Sequence, residues 1–181
     1  MSKFTLEVCA DSVESVLAAE KGGADRIELC GNVVIGGTTP SESLFREIRR
    51  HSDIKIHALI RPRFGDFCYT EYEFDIIRSE VRRFRELGAQ GVVIGMLRPD
   101  GSLDVEHLAQ LMEEANGMSV TLHRAFDVCR DPMEALEQAI SLGFLPFLHL
   151  DRRITVWMVR RCLQSWWKRV PVVFTLWLVQ E

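Results

Sequence analysis

The chain has 181 residues, 47% of them hydrophobic and 27% charged, which suits one soluble domain with a real core and excludes a disordered or fibrous chain. Its formal net charge of -4 provides no basic field for a phosphate backbone, which excludes nucleic acid as an expected partner. The charge is uneven, however: residues 145–181 hold six basic residues against two acidic, and the rest of the chain sixteen against twenty-four.

Residues 4–10 form a β-rich run, and Ser12 is placed to cap an amphipathic helix through Val13, Val16, Leu17 and Ala19 that ends at Gly22-Gly23. Residues 26–30 read as the next strand, 31–40 as a long loop and 41–51 as a helix. A third strand over 55–60 leads into a loop over 61–72 rich in Gly, Asp and aromatics, then a helix over 73–87 closed by Gly88. Residues 91–97 and 104–116 make the fourth strand and helix, and 119–126 and 132–142 the fifth, with Gly143 as C-cap. Strand and helix alternating at about thirty residues predict a parallel sheet with helical crossovers. No GxGxxG follows any strand, and polar residues sit at the C-terminal end of nearly every strand, which favours a TIM (β/α)8-type barrel over a doubly wound sheet. Such a barrel needs at least about 200 residues, so five units do not close it.

The chain starts without an apolar targeting core. Its five cysteines are odd in number and lack CxxC spacing, which suits reduced thiols in the cytoplasm. The apolar run over 171–179 is too short to span a bilayer, so no membrane partner is expected.

Chemistry-bearing residues gather at the strand ends. Glu7-Val8-Cys9 and Glu28-Leu29-Cys30 repeat one step that puts a carboxylate and a thiol on the same strand face. With them stand Arg61 and Arg63, and His123, Arg124 and Asp127. Glu7, Glu28, His123 and Asp127 suit acid-base work, while Arg61, Arg63 and Arg124 suit an anionic substrate group. Cys9 and Cys30 suit a soft ion such as Cu(I), with His123 as a further donor. Plainer readings stand beside these: a strand cysteine is commonly a small buried hydrophobe, and Glu7 or Glu28 could simply pair with Arg61 or Arg124. The loop Gly36-Gly37-Thr38-Thr39-Pro40-Ser41 could bring backbone and Ser41 to an anion at a helix N-terminus, or Ser41 could serve only as a cap.

Several ordered motifs together resemble the CutC family: Gly22-Gly23-Ala24-Asp25-Arg26-Ile27-Glu28-Leu29-Cys30, the 36–41 loop, Ile60-Arg61-Pro62-Arg63 with Asp66-Phe67-Cys68-Tyr69, and His123-Arg124-Ala125-Phe126-Asp127. The resemblance runs from about residue 6 to 143. It implies a cytoplasmic TIM barrel, often a homodimer, concerned with copper homeostasis, with Cu(I) held at Cys9 and Cys30, and it leans away from an enzyme. Phe64 stands where the family often has glycine.

After Phe144 the resemblance stops, and all four tryptophans fall between 157 and 177. The family would continue with Thr-Ser-Gly-Gln and later Ala-Gly-Ala-Gly. Codons chosen within the degeneracy for residues 147–153, read two bases later, give Phe-Thr-Ser-Gly-Gln-Lys; residues 176–181 treated alike give Met-Ala-Gly-Ala-Gly. The expectation is therefore a partial barrel over 1–144 and an out-of-frame tail over 145–181 without regular structure. Such a chain would have two open sheet edges and marginal stability. The functional expectations are a copper-binding barrel, an enzyme acting on a small anionic metabolite, or an inactive truncated fragment.

Overall fold

A computed structural model describes residues 5–144 and the backbone of Val173–Trp177. Six strands, β1 (Thr5–Ala10), β2 (Arg26–Leu29), β3 (Lys55–Leu59), β4 (Gly91–Ile94), β5 (Ser119–Leu122) and β6 (Val173–Trp177), form one parallel sheet in the order β5-β4-β3-β2-β1-β6. Between the first five run α1 (Val13–Lys21), α2 (Glu42–Arg49), α3 (Glu71–Glu86) and α4 (Val105–Glu114), and α5 (Pro132–Leu142) follows β5. Strands 1 to 5 pair in chain order with no reversal, which is barrel connectivity; a doubly wound sheet reverses at a switch point. The chain is thus an α/β protein with five βα units of a TIM-type barrel.

Helix ends follow local chemistry. Ser12, Ser41, Asp104 and Asp131 each accept a backbone N–H in the first turn of the helix they precede, and Gly143 ends α5 in a left-handed conformation. Helix α3 starts two residues before its expected first residue. The Thr70 hydroxyl accepts the Glu73 N–H while the Glu73 carboxylate accepts the Thr70 N–H, a reciprocal cap that fixes the start at Glu71. Strand β5 stops at Leu122, short of the expected 126, because the chain turns into a 3-10 segment, Arg124–Val128. A second 3-10 turn, Val33–Ile35, lies in the loop after β2.

Alternation along the strands sorts the two faces. Val8, Ala10, Ile27, Leu29, Ile56, Ala58, Val92, Ile94, Val120 and Leu122 join helix residues such as Val16, Phe45, Ile77, Phe84 and Leu108 in one apolar core between sheet and helices. Phe45 and Phe84 meet edge to face at 5.7 Å, tying α2 to α3. The opposite face carries Glu7, Cys9, Arg26, Glu28, His57, Thr121 and His123, all buried.

One expectation is corrected. Instead of a tail without a strand that leaves both sheet edges open, Val173–Trp177 pairs in parallel with β1 from Thr5↔Val173 to Cys9↔Trp177. Its β-branched and aromatic residues have high strand propensity, and the unpaired groups of β1 supply the template. The remainder of the predicted tail lies outside the described residues.

Candidate functional site at the barrel mouth

The polar face is built by register. Glu7 lies opposite Arg26, and Cys9 opposite Glu28, which lies opposite His57, which in turn lies opposite Gly91. Two glycines make room for imidazoles: a Cβ on Gly91 would come within 2.6 Å of the His57 ring, and one on Gly95 within 2.5 Å of His123. Large side chains on β3 and β5 can therefore lean over the short strand between them.

Deepest in this face, Arg26 Nε donates to the Glu7 carboxylate in a buried ion pair. The partner of Glu7 is thus Arg26, not Arg61 or Arg124 as the sequence suggested. Glu28, 3% exposed, makes no hydrogen bond or ion pair among the described residues. Burial chiefly, and then the Glu7 charge, pushes its carboxyl up to about 8, with Arg26 pulling the other way. Burial, with Arg26 and Lys55 adding to it, pushes His57 down to about 3, so its ring is neutral.

Above these groups a cavity of about 180 Å³ opens at the C-terminal end of the strands. Its polar wall consists of Glu28, Arg61, His123, Arg124 and Asp127; Ile35, Leu59, Phe67 and Val128 supply the apolar part. Arg61 is held by backbone. Its Nη1 donates to the carbonyls of Gly36 and Gly37, each at 3.1 Å, and its Nη2 to Gly65 at 2.8 Å. The two loops that supply these carbonyls are fixed in turn, because Thr39 exchanges hydrogen bonds with the Arg61 backbone at 2.9 Å in both directions. Phe67 lies 4.8 Å under the guanidinium and 4.7 Å from the His123 ring, so one aromatic face positions both. The Nδ1 of His123 accepts the Ala125 N–H at 3.1 Å, which leaves Nε2 as the protonated nitrogen of the neutral ring. Arg124 Nε donates to Asp127 at 3.1 Å.

Of the residues expected at the site, the structure brings Glu28, Arg61, His123, Arg124 and Asp127 together. It places five elsewhere. Glu7 is below, on Arg26. Arg63 is engaged by Glu73, Asp66 and the Cys68 carbonyl and lies over the Tyr69 ring. The Ser41 hydroxyl accepts the Leu44 N–H at 3.1 Å, and so acts as a helix cap. Cys9 and Cys30 face the barrel interior at 1% and 0% exposure but do not line the cavity.

Both thiols are held protonated, chiefly by burial. Two soft sulfurs suit Cu(I) in kind, but among the described residues no group of three or more His, Cys, Asp or Glu could hold a metal ion. Sequence reasoning missed Arg26, His57 and Phe67. Arg26 and His57 carried a signal, since they share the inward phase of Glu28 and Arg61 on their strands.

The CutC family profile matches residues 4–152. The chain belongs to the CutC family. Among curated relatives, a family protein CutC of Bacteroides thetaiotaomicron is 50% identical over 147 residues, covering 79% of this chain and 58% of the relative. The human relative, named copper homeostasis protein cutC homolog, is 46% identical over 141 residues, covering 78% of this chain and 52% of the relative. The chain thus spans little more than half the length of these curated relatives. A crystal structure of CutC from Streptococcus agalactiae superposes with a TM-score of 0.79 at 25% identity, over 96% of this chain and 98% of that one. Phosphonopyruvate hydrolase in complex with oxalate and Mg superposes at TM-score 0.68 and 18% identity, over 95% of this chain and 67% of that one, which shows a shared fold alone. Among the described residues no helix is long and apolar enough to cross a membrane.

Proposed function

We propose that this CutC chain works through the cavity at its barrel mouth, and that the cavity takes a small anionic molecule. The observation that carries this reading is Arg61, 7% exposed, anchored by three backbone carbonyls with its Nε–H left without a partner. A cation held by neutral carbonyls keeps its full charge for a ligand. If the site is catalytic, Glu28 and His123 are its acid-base pair, with Asp127 acting through Arg124. The test is titration with inorganic phosphate and pyruvate, followed by NMR of the backbone amides. Binding weakened at least tenfold by Arg61→Ala and indifferent to copper is the expected result; equal affinity in the variant refutes it.

A second reading has its own support. The human relative's name carries copper homeostasis, and in this chain Cys9 and Cys30 are inward-facing thiols contributed by neighbouring strands, near enough for the charge of one to raise the other. Here Cu(I) is cargo in the cytoplasm, and binding it displaces both thiol protons. Cu(I) titration under reducing conditions tests this: affinity unchanged after Cys9→Ser with Cys30→Ser removes the reading. We further propose that residues from about 145 onward are out of frame, as the codon reading supports. An open frame with no insertion or deletion near codon 145, and no family motif in the alternative frame, overturns that proposal. Restoring the frame and comparing ligand binding, copper content and dimerisation separates a working site from an inactive fragment.

A further inference from the structure

We infer that the anion taken at the mouth is a monocarboxylate, seated between the side edge of the Arg61 guanidinium and the carboxylic acid O–H of Glu28. This rests on the anion-binding reading above and adds the ligand class and the role of Glu28.

The first support is donor counting. A guanidinium has five N–H donors. In Arg61 both Nη1 hydrogens go to Gly36 and Gly37, and one Nη2 hydrogen goes to Gly65. Of the two that remain, Nε–H belongs to the side edge, which grips a carboxylate with two parallel hydrogen bonds when the free Nη2–H is the one beside it. Nε–H is buried and without a partner among the described residues, and the Tyr69 hydroxyl lies beside this guanidinium and interacts with it.

The second support is independent of Arg61. Glu28 lines the same cavity from the neighbouring strand, is 3% exposed, and among the described residues makes no hydrogen bond or ion pair. A buried carboxyl without partners is costly, and a ligand oxygen relieves that cost only if one of the two carboxyls carries a proton. The proton resides on Glu28, whose surroundings disfavour its charge: it is buried with the Glu7 charge beside it and the neutral Cys9 thiol opposite, and the Arg26 cation on its own strand is already committed to Glu7. From β3 come neutral His57 and the Arg61 cation. The end of β5 adds His123 and the mutually paired Arg124 and Asp127.

Charge and size narrow the class. With Arg124 and Asp127 offsetting each other and Glu28 neutral, the described lining carries one net positive charge, which matches one carboxylate and leaves a dianion such as sulfate half uncompensated. The cavity, about 180 Å³, has room for a small molecule.

The test uses the whole chain, with pyruvate, acetate and inorganic sulfate as probes, at pH 6.5 and pH 9. Pyruvate and acetate are expected to bind more tightly than sulfate. Their affinity should fall at least tenfold between the two pH values, as Glu28 loses the proton it donates. Glu28→Gln keeps an N–H donor, so it should retain carboxylate binding and lose the pH dependence, while Glu28→Ala should lose binding. Sulfate binding as tight as that of the carboxylates, or a wild-type profile flat with pH, overturns the inference while leaving anion binding intact. Failure of all three probes to bind overturns both. Because the wild-type profile and the ranking of probes decide the matter without any variant, a misfolded Glu28 variant does not shield the inference.

Discussion

Gly91→Ala is the sharpest test of how the interior face is built. The added Cβ would lie 2.6 Å from Cδ2 and Nε2 of His57 and 2.7 Å from its Cε1, well inside van der Waals contact. The ring has little room to retreat, being 3% exposed with Glu28 on the strand behind it. Overpacking of this kind costs about 1–3 kcal/mol. Alanine restores about 0.4–1 kcal/mol by restricting the unfolded chain, because Gly91 has no left-handed backbone to strain. The net loss is about 0–2.6 kcal/mol, and at about 2–4 °C per kcal/mol for a chain of this size the melting temperature should drop by up to about 10 °C. Calorimetry on four proteins decides it: wild type, Gly91→Ala, His57→Ala and the double variant. In the His57→Ala background the added methyl meets no ring, so it should be neutral or slightly stabilising. A control, Gly88→Ala, has nothing within 4 Å but a φ of +82°, so it should lose stability equally in both backgrounds. If Gly91→Ala costs the same with and without His57, the imidazole is not what this glycine accommodates, and the reasoning fails.

Gly95→Ala should act on the site more than on the fold: its Cβ would press within 2.5 Å of His123, displacing the ring from Phe67 and the cavity, and anion affinity should fall severalfold in the NMR titration while the cooperative transition is retained. Stability against pH should show two opposed slopes. Glu28 is raised from 4.5 to about 8, so the fold holds a proton the unfolded chain sheds, and stability falls as pH rises from 4.5 to 8; His57 is lowered from 6.5 to about 3, so stability also falls as pH drops from 6.5 to 3. Each slope is at most about 1.4 kcal/mol per pH unit, which places the optimum near pH 4.5–6.5; Glu28→Gln should flatten the alkaline limb in urea titrations, and a wild type gaining stability from pH 6.5 to 8 contradicts the assignment. Thr70→Ala should cost about 1 kcal/mol in the same assay by removing the hydroxyl half of the α3 cap.

What the sequence made legible, and what it hid, divides along one line. Helix ends depend on residues three or four apart, so Ser12, Ser41 and Gly143 were readable; the start of α3 was equally local, in the Thr70-x-x-Glu73 spacing, and went unread. Barrel connectivity was readable because it repeats five times. Partnerships on the inner face were not, since they depend on strand register and on which side chain leans over which glycine. Cys9 and Glu28 lie directly across from each other, yet the two Glu-x-Cys steps do different things: Glu7 sinks onto Arg26, Glu28 faces the cavity, and both thiols stay beneath it. The step appeared twice in sequence because two strands present the same inward phase, and that phase also carries Arg26 and Arg61. Repetition therefore identified a face of the barrel, and the single departure from it, a cation committed to Glu7 but none to Glu28, is what gives the mouth a carboxyl able to hold and yield a proton.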